Sequence, residues 1–520
     1  MLFGSKLQGL RSLQNHIGGA GCRTRACEPG ARTGTRLFTW GILGILSLLA
    51  GCKVGPNYQR PDAPPPPGYK EGGSAGAVVP PPNPNGGTWK PASPSDGMLR
   101  GKWWEIYQDP QLNTLEEQLT PQNQNIRAAL ETYLSARDQV RAARADLYPT
   151  LSATPAASRD RVSTNRPLAV PGGVNQYNDF QLEGQANWEP DFWGRVRRSV
   201  EAAHENAQAS AADLADLDLS LHAELALDYF QLRGLDSDAR LLERTVDDYQ
   251  GQLKLNQNLV TGGLATEVVV EQALTLLEST RAQLVDVQEA RSEFEHAIAT
   301  LINKEAREVT LAPAPLNLAL PKVPVGVPSQ LIERRPDVAA IERRTAAANA
   351  QIGIAISAFY PNVVLGAGGG FESTNIGTLI QGPSSLWSLG GQATQLLFDA
   401  GKRRAITDQA RHNYEAQAST YRATVLGAFN EVEDRLSDLR VLQEEATTEQ
   451  RAVAAAQHSL DLSSQRYKGG ATSYLEVLIA DSTLLSNQRT STDLETKQFT
   501  ASVGLVRALG GGWDVTQLPK

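Results

Sequence analysis

The side chain whose neighbours point most directly to a covalent chemistry is Cys52. It closes the run Leu49-Ala50-Gly51-Cys52, in which small residues end an apolar stretch. This is the layout of a bacterial lipobox: the chain is cut before the cysteine, whose sulfur and newly freed amino group then carry lipid. The apolar stretch from Leu37 to Ala50 is 14 residues long, against the roughly 20 a membrane-spanning helix needs. Arg11, Arg23, Arg25, Arg32 and Arg36 precede it. A basic region, a short apolar core and a small-residue end make a secretory signal, so residues 1–51 are expected to be removed. An ordinary signal sequence with a chance cysteine is the alternative. Lys53 follows the cysteine and is compatible with sorting to an outer membrane, where an aspartate would suggest retention in the inner one.

Other reactive groups are sparse. Cys22 and Cys27 lie upstream of the cut, so the mature chain keeps one thiol and forms no internal disulfide. The histidines His16, His204, His222, His296, His412 and His458 are scattered, without the spacing of a metal site. The acidic pairs Asp247-Asp248 and Glu444-Glu445 fall in heptad-patterned stretches and read as solvated surface charge rather than as general acids and bases. Gly366, Gly368, Gly369 and Gly370 lack the lysine of a phosphate-binding loop, and no helix start follows directly. No catalytic residue, cofactor or metal is expected. The net charge is −8, and residues 1–51 hold six basic residues and one acid, which leaves −13 on the mature chain. So acidic a chain is a poor nucleic-acid binder.

The 469 residues beyond Gly51 are ample for several domains. Residues 61–97 are crowded with proline, glycine and serine, and residues 52–100 read as a lipid-anchored, loose tether that holds the body away from the membrane attachment. The body then reads twice. Leu147-Tyr148-Pro149 returns as Phe359-Tyr360-Pro361, Gly194-Arg195 as Gly401-Lys402, and Gly262-Gly263 as Gly469-Gly470. The last two pairs share an offset of 207 residues, and the Tyr-Pro pair is offset by 212. Three markers in one order indicate an internal repeat, with a first copy over 101–310, a linker over 311–333 and a second copy over 334–520.

Each copy has one grammar: a helix, two strands, a very long helix, a Gly-Gly break and a second long helix. The strands are expected at about 150–190 and 361–398 and rest on period two. Phe180, Leu182, Gly184, Ala186 and Trp188 face one way, and Gln181, Glu183, Gln185 and Asn187 the other. Val363 to Phe371 and Trp387 to Ala393 alternate too, whereas Thr150 to Ser158 is a weak strand containing Pro155. A membrane barrel and a soluble sheet with one wet face both fit this alternation. Leu217, Leu221, Leu225, Leu232, Leu235, Leu242, Val246, Tyr249, Leu253 and Val260 trace a heptad seam. The helical hairpins are therefore predicted over 194–304 and 401–511, their longest helices about 100 Å long, turning back at Gly262, Gly263, Gly469 and Gly470. Four strands are too few to close a barrel across a bilayer, for which about eight is the minimum. Either the sheet is soluble or several copies share one barrel.

Together, CKVGPNYQRP at 52–61, WWEIYQDPQLNTLEEQ at 103–118, RRPDVAAIERRTAAANAQIGIAISAFYPNV at 334–363, RYKGGATSYLEVL at 466–478 and ALGGGW at 508–513 resemble the TolC-type outer membrane factors. The branch is the lipoproteins of resistance-nodulation-division (RND) efflux systems. The resemblance implies an α+β membrane protein, a homotrimer whose protomers each give four strands to one 12-stranded outer-membrane β-barrel. A long periplasmic α-helical barrel continues it. A belt around the tunnel is implied from residues near 100–120, 305–330 and the C-terminal end. It further implies a passive conduit for small toxic compounds, with a periplasmic adaptor docking at the hairpin tips and an inner-membrane RND pump supplying the energy. It places Asp461, eight residues before Gly469, in an acidic ring at the periplasmic gate. Ser464 and Gln465 stand where many relatives carry a second acid. A conduit for type I protein secretion and a lipid-anchored coiled-coil scaffold without a pore are the alternative readings.

Overall fold

The computed structural model describes residues 53–66, 68–71, 101–163, 176–324 and 328–519. The signal segment 1–51, Cys52 and residues 72–100 lie outside them. Eight helices dominate: α1 Pro110–Gln122, α2 Gln124–Ala145, α3 Arg195–Thr261, α4 Glu267–Leu301, α5 Pro328–Arg334, α6 Pro336–Ser357, α7 Lys402–Lys468 and α8 Tyr474–Ala508. Helices α3 and α7 are each 67 residues long, and α4 and α8 are each 35. At 1.5 Å per residue the longer pair each span about 100 Å. Among the described residues no helix is long and apolar enough to cross a membrane.

The Gly-Gly breaks end the long helices by one device. Gly263 and Gly470 have φ of +71° and +72°, a left-handed conformation that only glycine adopts at little cost. Leu264 N donates to Leu259 O at 2.8 Å and Gly263 N to Val260 O at 2.9 Å. Ala471 N donates to Arg466 O and Gly470 N to Tyr467 O at the same two lengths, respectively. This paired closure satisfies the last carbonyls of the helix and sends the chain back along it.

Four strands form one antiparallel sheet in the order β1-β2-β3-β4: β1 Thr150–Arg161, β2 Gln176–Trp188, β3 Asn362–Ser373 and β4 Ser385–Thr394. Pro155 sits in β1, an edge strand, where a missing N–H is tolerated. The register sorts most of the side chains by polarity. Leu151, Phe180, Leu182, Ala186, Leu365, Phe371, Trp387 and Leu389 share one face. The other carries Ser152, Thr154, Gln181, Glu183, Gln185, Asn187, Glu372, Ser388 and Gln392, with the glycines 366, 368 and 370. Among the described residues nothing covers the apolar face: Trp387 and Leu389 are 82% and 78% exposed.

Helix α2 packs on α3, α3 on α6, and α6 on α7, while α8 packs on both α7 and α3. The helical layer thus begins with α2 and ends with α7, as the sheet begins with β1 and ends with β4. The largest core lies where the turn Trp103–Tyr107 and α1 cover α3 and α8. Trp103, Tyr107, Leu112 and Leu119 pack there against Leu225, Phe230, Phe499 and Val503. Val309, Leu311 and Leu316 of the segment after α4 join the same core.

The expected loose tether requires a correction over residues 53–66 and 68–71, which lie against α3, α6 and α7, while residues 72–100 lie outside the described residues. Proline-rich chain has no internal ladder to form, so its carbonyls are free to accept from helix side chains.

Candidate functional site

The amino-terminal strap is held by a buried cation. Arg198, on the first turn of α3, is fully buried. Its guanidinium donates to Val54 O (3.1 Å), Gly55 O (3.1 Å) and Asn57 Oδ1 (3.2 Å), and pairs with Glu201 at 3.0 Å. Val54 N donates to Trp193 O at 3.1 Å, Asn349 Nδ2 to Pro56 O at 3.0 Å, and Tyr58 Oη to Glu342 Oε1 at 2.6 Å. Gly55 has φ +92°, and a Cβ on it would lie 2.5 Å from the Cα of Gly353. The GPNY motif is therefore shaped to α3 and α6. Further on, Lys70 N and Glu71 N donate to Glu433 of α7. Lys53 pairs with Glu201 at 2.5 Å, so the residue after Cys52 lies at the junction of β2 and α3, one end of the sheet. Cys52 itself is outside the described residues.

At the other end of the long helices the tips are exposed. Leu264 is 79% exposed, and Val268, Leu475 and Ile479 are exposed beside it, so Gly262, Gly263, Gly469 and Gly470 stand among apolar surface. Asp461 lies two turns before Gly469 on α7, exposed, and accepts from Gln457 Nε2 at 3.1 Å. Asp247-Asp248 and Glu444-Glu445 are exposed on α3 and α7. No cluster among the described residues suits a metal ion.

The sequence reading missed a polar seam between the two hairpins. Asp481 of α8 is buried and accepts from Gln252 Nε2 of α3 at 3.2 Å. Gln252 Oε1 in turn accepts from Tyr474 Oη at 3.0 Å. Tyr467 and Tyr474 pack at 5.3 Å between ring centres. Burial raises the Asp481 carboxyl above the usual range, against the Gln252 hydrogen bond, which lowers it. Tyr249 Oη and Asn256 Nδ2 are buried there without a hydrogen-bond partner among the described residues. The available signal was an acid beside Val477, Ala480 and Leu484 on the apolar stripe of α8; a polar group in a helical seam specifies register at a cost in stability.

The comparisons with known proteins fit this architecture. Residues 115–304 and 327–511 match the family described as outer membrane efflux protein. The probable efflux pump outer membrane protein TtgC of Pseudomonas putida is 30% identical over 468 residues, covering 90% of this chain and 94% of that protein. The cation efflux system protein CusC of Escherichia coli is 28% identical over 476 residues, 90% of this chain and 97% of that one. The solved outer-membrane channel OprN superposes with a TM-score of 0.79 at 29% identity, covering 89% of this chain and all of that one. With both halves of its helical body matched, the chain is a member of the outer membrane efflux protein family, located in the outer membrane.

Proposed function

We propose that the protein is the outer-membrane conduit of a tripartite efflux system, a passive tunnel for small toxic compounds. The observation that carries this reading is the sheet, which is apolar on one face and polar on the other and whose first and last strands have no further strand partner among the described residues. An open sheet of four strands leaves backbone donors and acceptors that lipid cannot satisfy, so only closure makes it stable in a bilayer. Head-to-tail contacts that place β4 of one copy beside β1 of the next, and α7 beside α2, close a ring. Three copies give a barrel of 12 strands with the apolar face to lipid, continued by a helical barrel built from the duplicated halves.

The same reading assigns the remaining parts. Cys52 is the lipid attachment, a reading supported by its neighbour Lys53, which pairs with Glu201 near the junction of β2 and α3. The hairpin tips, with their exposed leucines and valine, are the docking surface for a periplasmic adaptor, and an inner-membrane RND pump selects the cargo. Asp461 is part of the periplasmic gate.

The test is dye efflux from a strain lacking its own outer membrane factor, with and without this protein, its neighbouring adaptor and its pump. Restored efflux is expected. A heat-sensitive trimer in the outer membrane that restores none would shift the cargo to secreted protein. Absence of both efflux and trimer would leave a scaffold. Separately, Cys52→Ser is expected to abolish incorporation of labelled palmitate.

A further inference from the structure

The end of the sheet remote from the helices carries a patch of its own. Register sets Arg159 opposite Asn178 and Arg161 opposite Gln176, and these four alternate onto the same face as Ala157 and Phe180. All four are exposed. Residues two apart on a strand are separated by about 7 Å, and direct cross-strand neighbours by about 5 Å. Two guanidinium groups and two carboxamides therefore share one small patch, and the next rows inward on that face are Ala157 with Phe180 and Pro155 with Leu182.

The charges at this end are segregated. Asp160, Asp179 and Glu183 alternate onto the opposite, polar face, and the connecting residues 162–175 contain Arg166 and no acid. The outward side of the β1–β2 hairpin is thus basic, with no carboxylate on that face or in that connection.

Its height also fits. From Leu151 to Arg159 the strand advances eight residues, about 26 Å along its axis. At a tilt of about 40° that is roughly 20 Å along the membrane normal, and Arg161 reaches roughly 25 Å, the height of an apolar band. An arginine on the lipid face is costly at the midplane and nearly free at the interface.

We propose that Arg159, Arg161, Asn178 and Gln176 bind the phosphate headgroup of an anionic lipid in the outer leaflet, with its acyl chains lying on Ala157, Phe180 and Leu182. The planar guanidinium fork matches phosphate oxygens two at a time, and the carboxamides supply further N–H donors. The apolar shelf directly below the patch favours a lipid over free phosphate. This assignment rests on the barrel reading above.

The test uses the assembled full-length protein in nanodiscs of phosphatidylcholine with a minor share of phosphatidylglycerol. Lipids retained after transfer to detergent are counted by native mass spectrometry. Wild type is expected to retain phosphatidylglycerol preferentially, and R159Q/R161Q to lower that preference roughly tenfold. R451Q, an exposed arginine of α7, is expected to leave it unchanged. The wild-type preference should also fall with added salt, a readout that needs no variant to assemble. An unaltered preference in the double variant, or one indifferent to salt, would overturn the site. Displacement of the lipid by an equal concentration of inorganic phosphate would reassign the patch to free phosphate. Protein that fails to insert into the bilayer at all would sink the barrel reading with it, whereas insertion without lipid preference sinks the site alone.

Discussion

His222 Nδ1 lies 2.5 Å from Glu116 Oε2, and both side chains are buried where α1 crosses α3. Trp104 stacks on the imidazole at 4.4 Å between ring centres. His222 Nε2 meets Thr120 Oγ1 at 2.9 Å and lies 3.7 Å from Asp218 Oδ1. This clasp fastens the belt to the longest helix of the first hairpin.

The clasp makes the belt sensitive to pH. Burial pushes the Glu116 carboxyl up to about 7; the His222 hydrogen bond and charge pull it down, and Asp218 adds to the rise. An unfolded glutamate titrates near 4.3, so the folded state holds a proton that the unfolded state has lost. The stability gained is fully present below about pH 4.3 and is lost as pH rises through about 7. The change is on the order of 3 kcal/mol. Protection factors against hydrogen exchange in residues 103–122, corrected for the intrinsic rise of exchange with pH, are expected to fall between pH 6 and 8 in wild type, and Glu116→Gln to flatten that dependence. His222→Ala should destabilise at neutral pH by about 1–3 kcal/mol, because it leaves the buried Glu116 carboxyl without its hydrogen-bond partner. An equally steep profile in Glu116→Gln would remove Glu116 from the account.

The strap gives a steric prediction. A Cβ added at Gly353 would lie 2.8 Å from Arg198 Nε and 2.9 Å from its Cδ. Arg198 cannot retreat without breaking its bonds to Val54, Gly55 and Asn57. Gly353→Ala is therefore expected to cost about 1–3 kcal/mol and to release residues 53–60 to limited proteolysis, leaving the helices protected. A strap that stays resistant would mean the close approach is not what holds it.

How legible these parts are in the sequence depends on how local their physics is. The turns at Gly263 and Gly470 need a left-handed residue at a helix end, and a Gly-Gly pair announces one. The run from Leu217 to Val260 carries its helical period in every turn. Strand β1 is faint because an edge strand of small residues, interrupted by Pro155, has little alternation to show. The strap is illegible: its partners Arg198, Asn349 and Glu342 are 140 or more residues away, and a proline-rich segment has no period of its own. The clasp is equally hidden, since Glu116 and His222 lie 106 residues apart and nothing in the stretch 103–118 points to a histidine partner.

The seam between the hairpins yields a third expectation. Gln252 bridges Asp481 and Tyr474, so Gln252→Ala strips a partner from each. Leaving buried polar groups unsatisfied costs about 1–3 kcal/mol apiece. Protection from exchange should fall together in residues 246–256 and 474–485, and the resting conductance of the reconstituted channel should rise. If protection falls in one segment alone, the seam does not couple the two hairpins.

The last expectation concerns Asp461. It is exposed on α7 two turns from the tip, and its carboxylate accepts a hydrogen bond from Gln457. Three copies arranged around a common axis would set three like charges facing one another across the tunnel's narrow end. Such a ring concentrates cations and repels anions at the constriction. In the proposed trimer, Asp461→Ala is expected to weaken the cation preference in a bilayer recording without altering assembly, because the side chain is exposed. The effect should shrink as ionic strength rises and the Debye length falls below the width of the opening. Unchanged ion selectivity at low salt would place Asp461 on the outer surface of the tip instead, where it would meet the adaptor rather than the cargo.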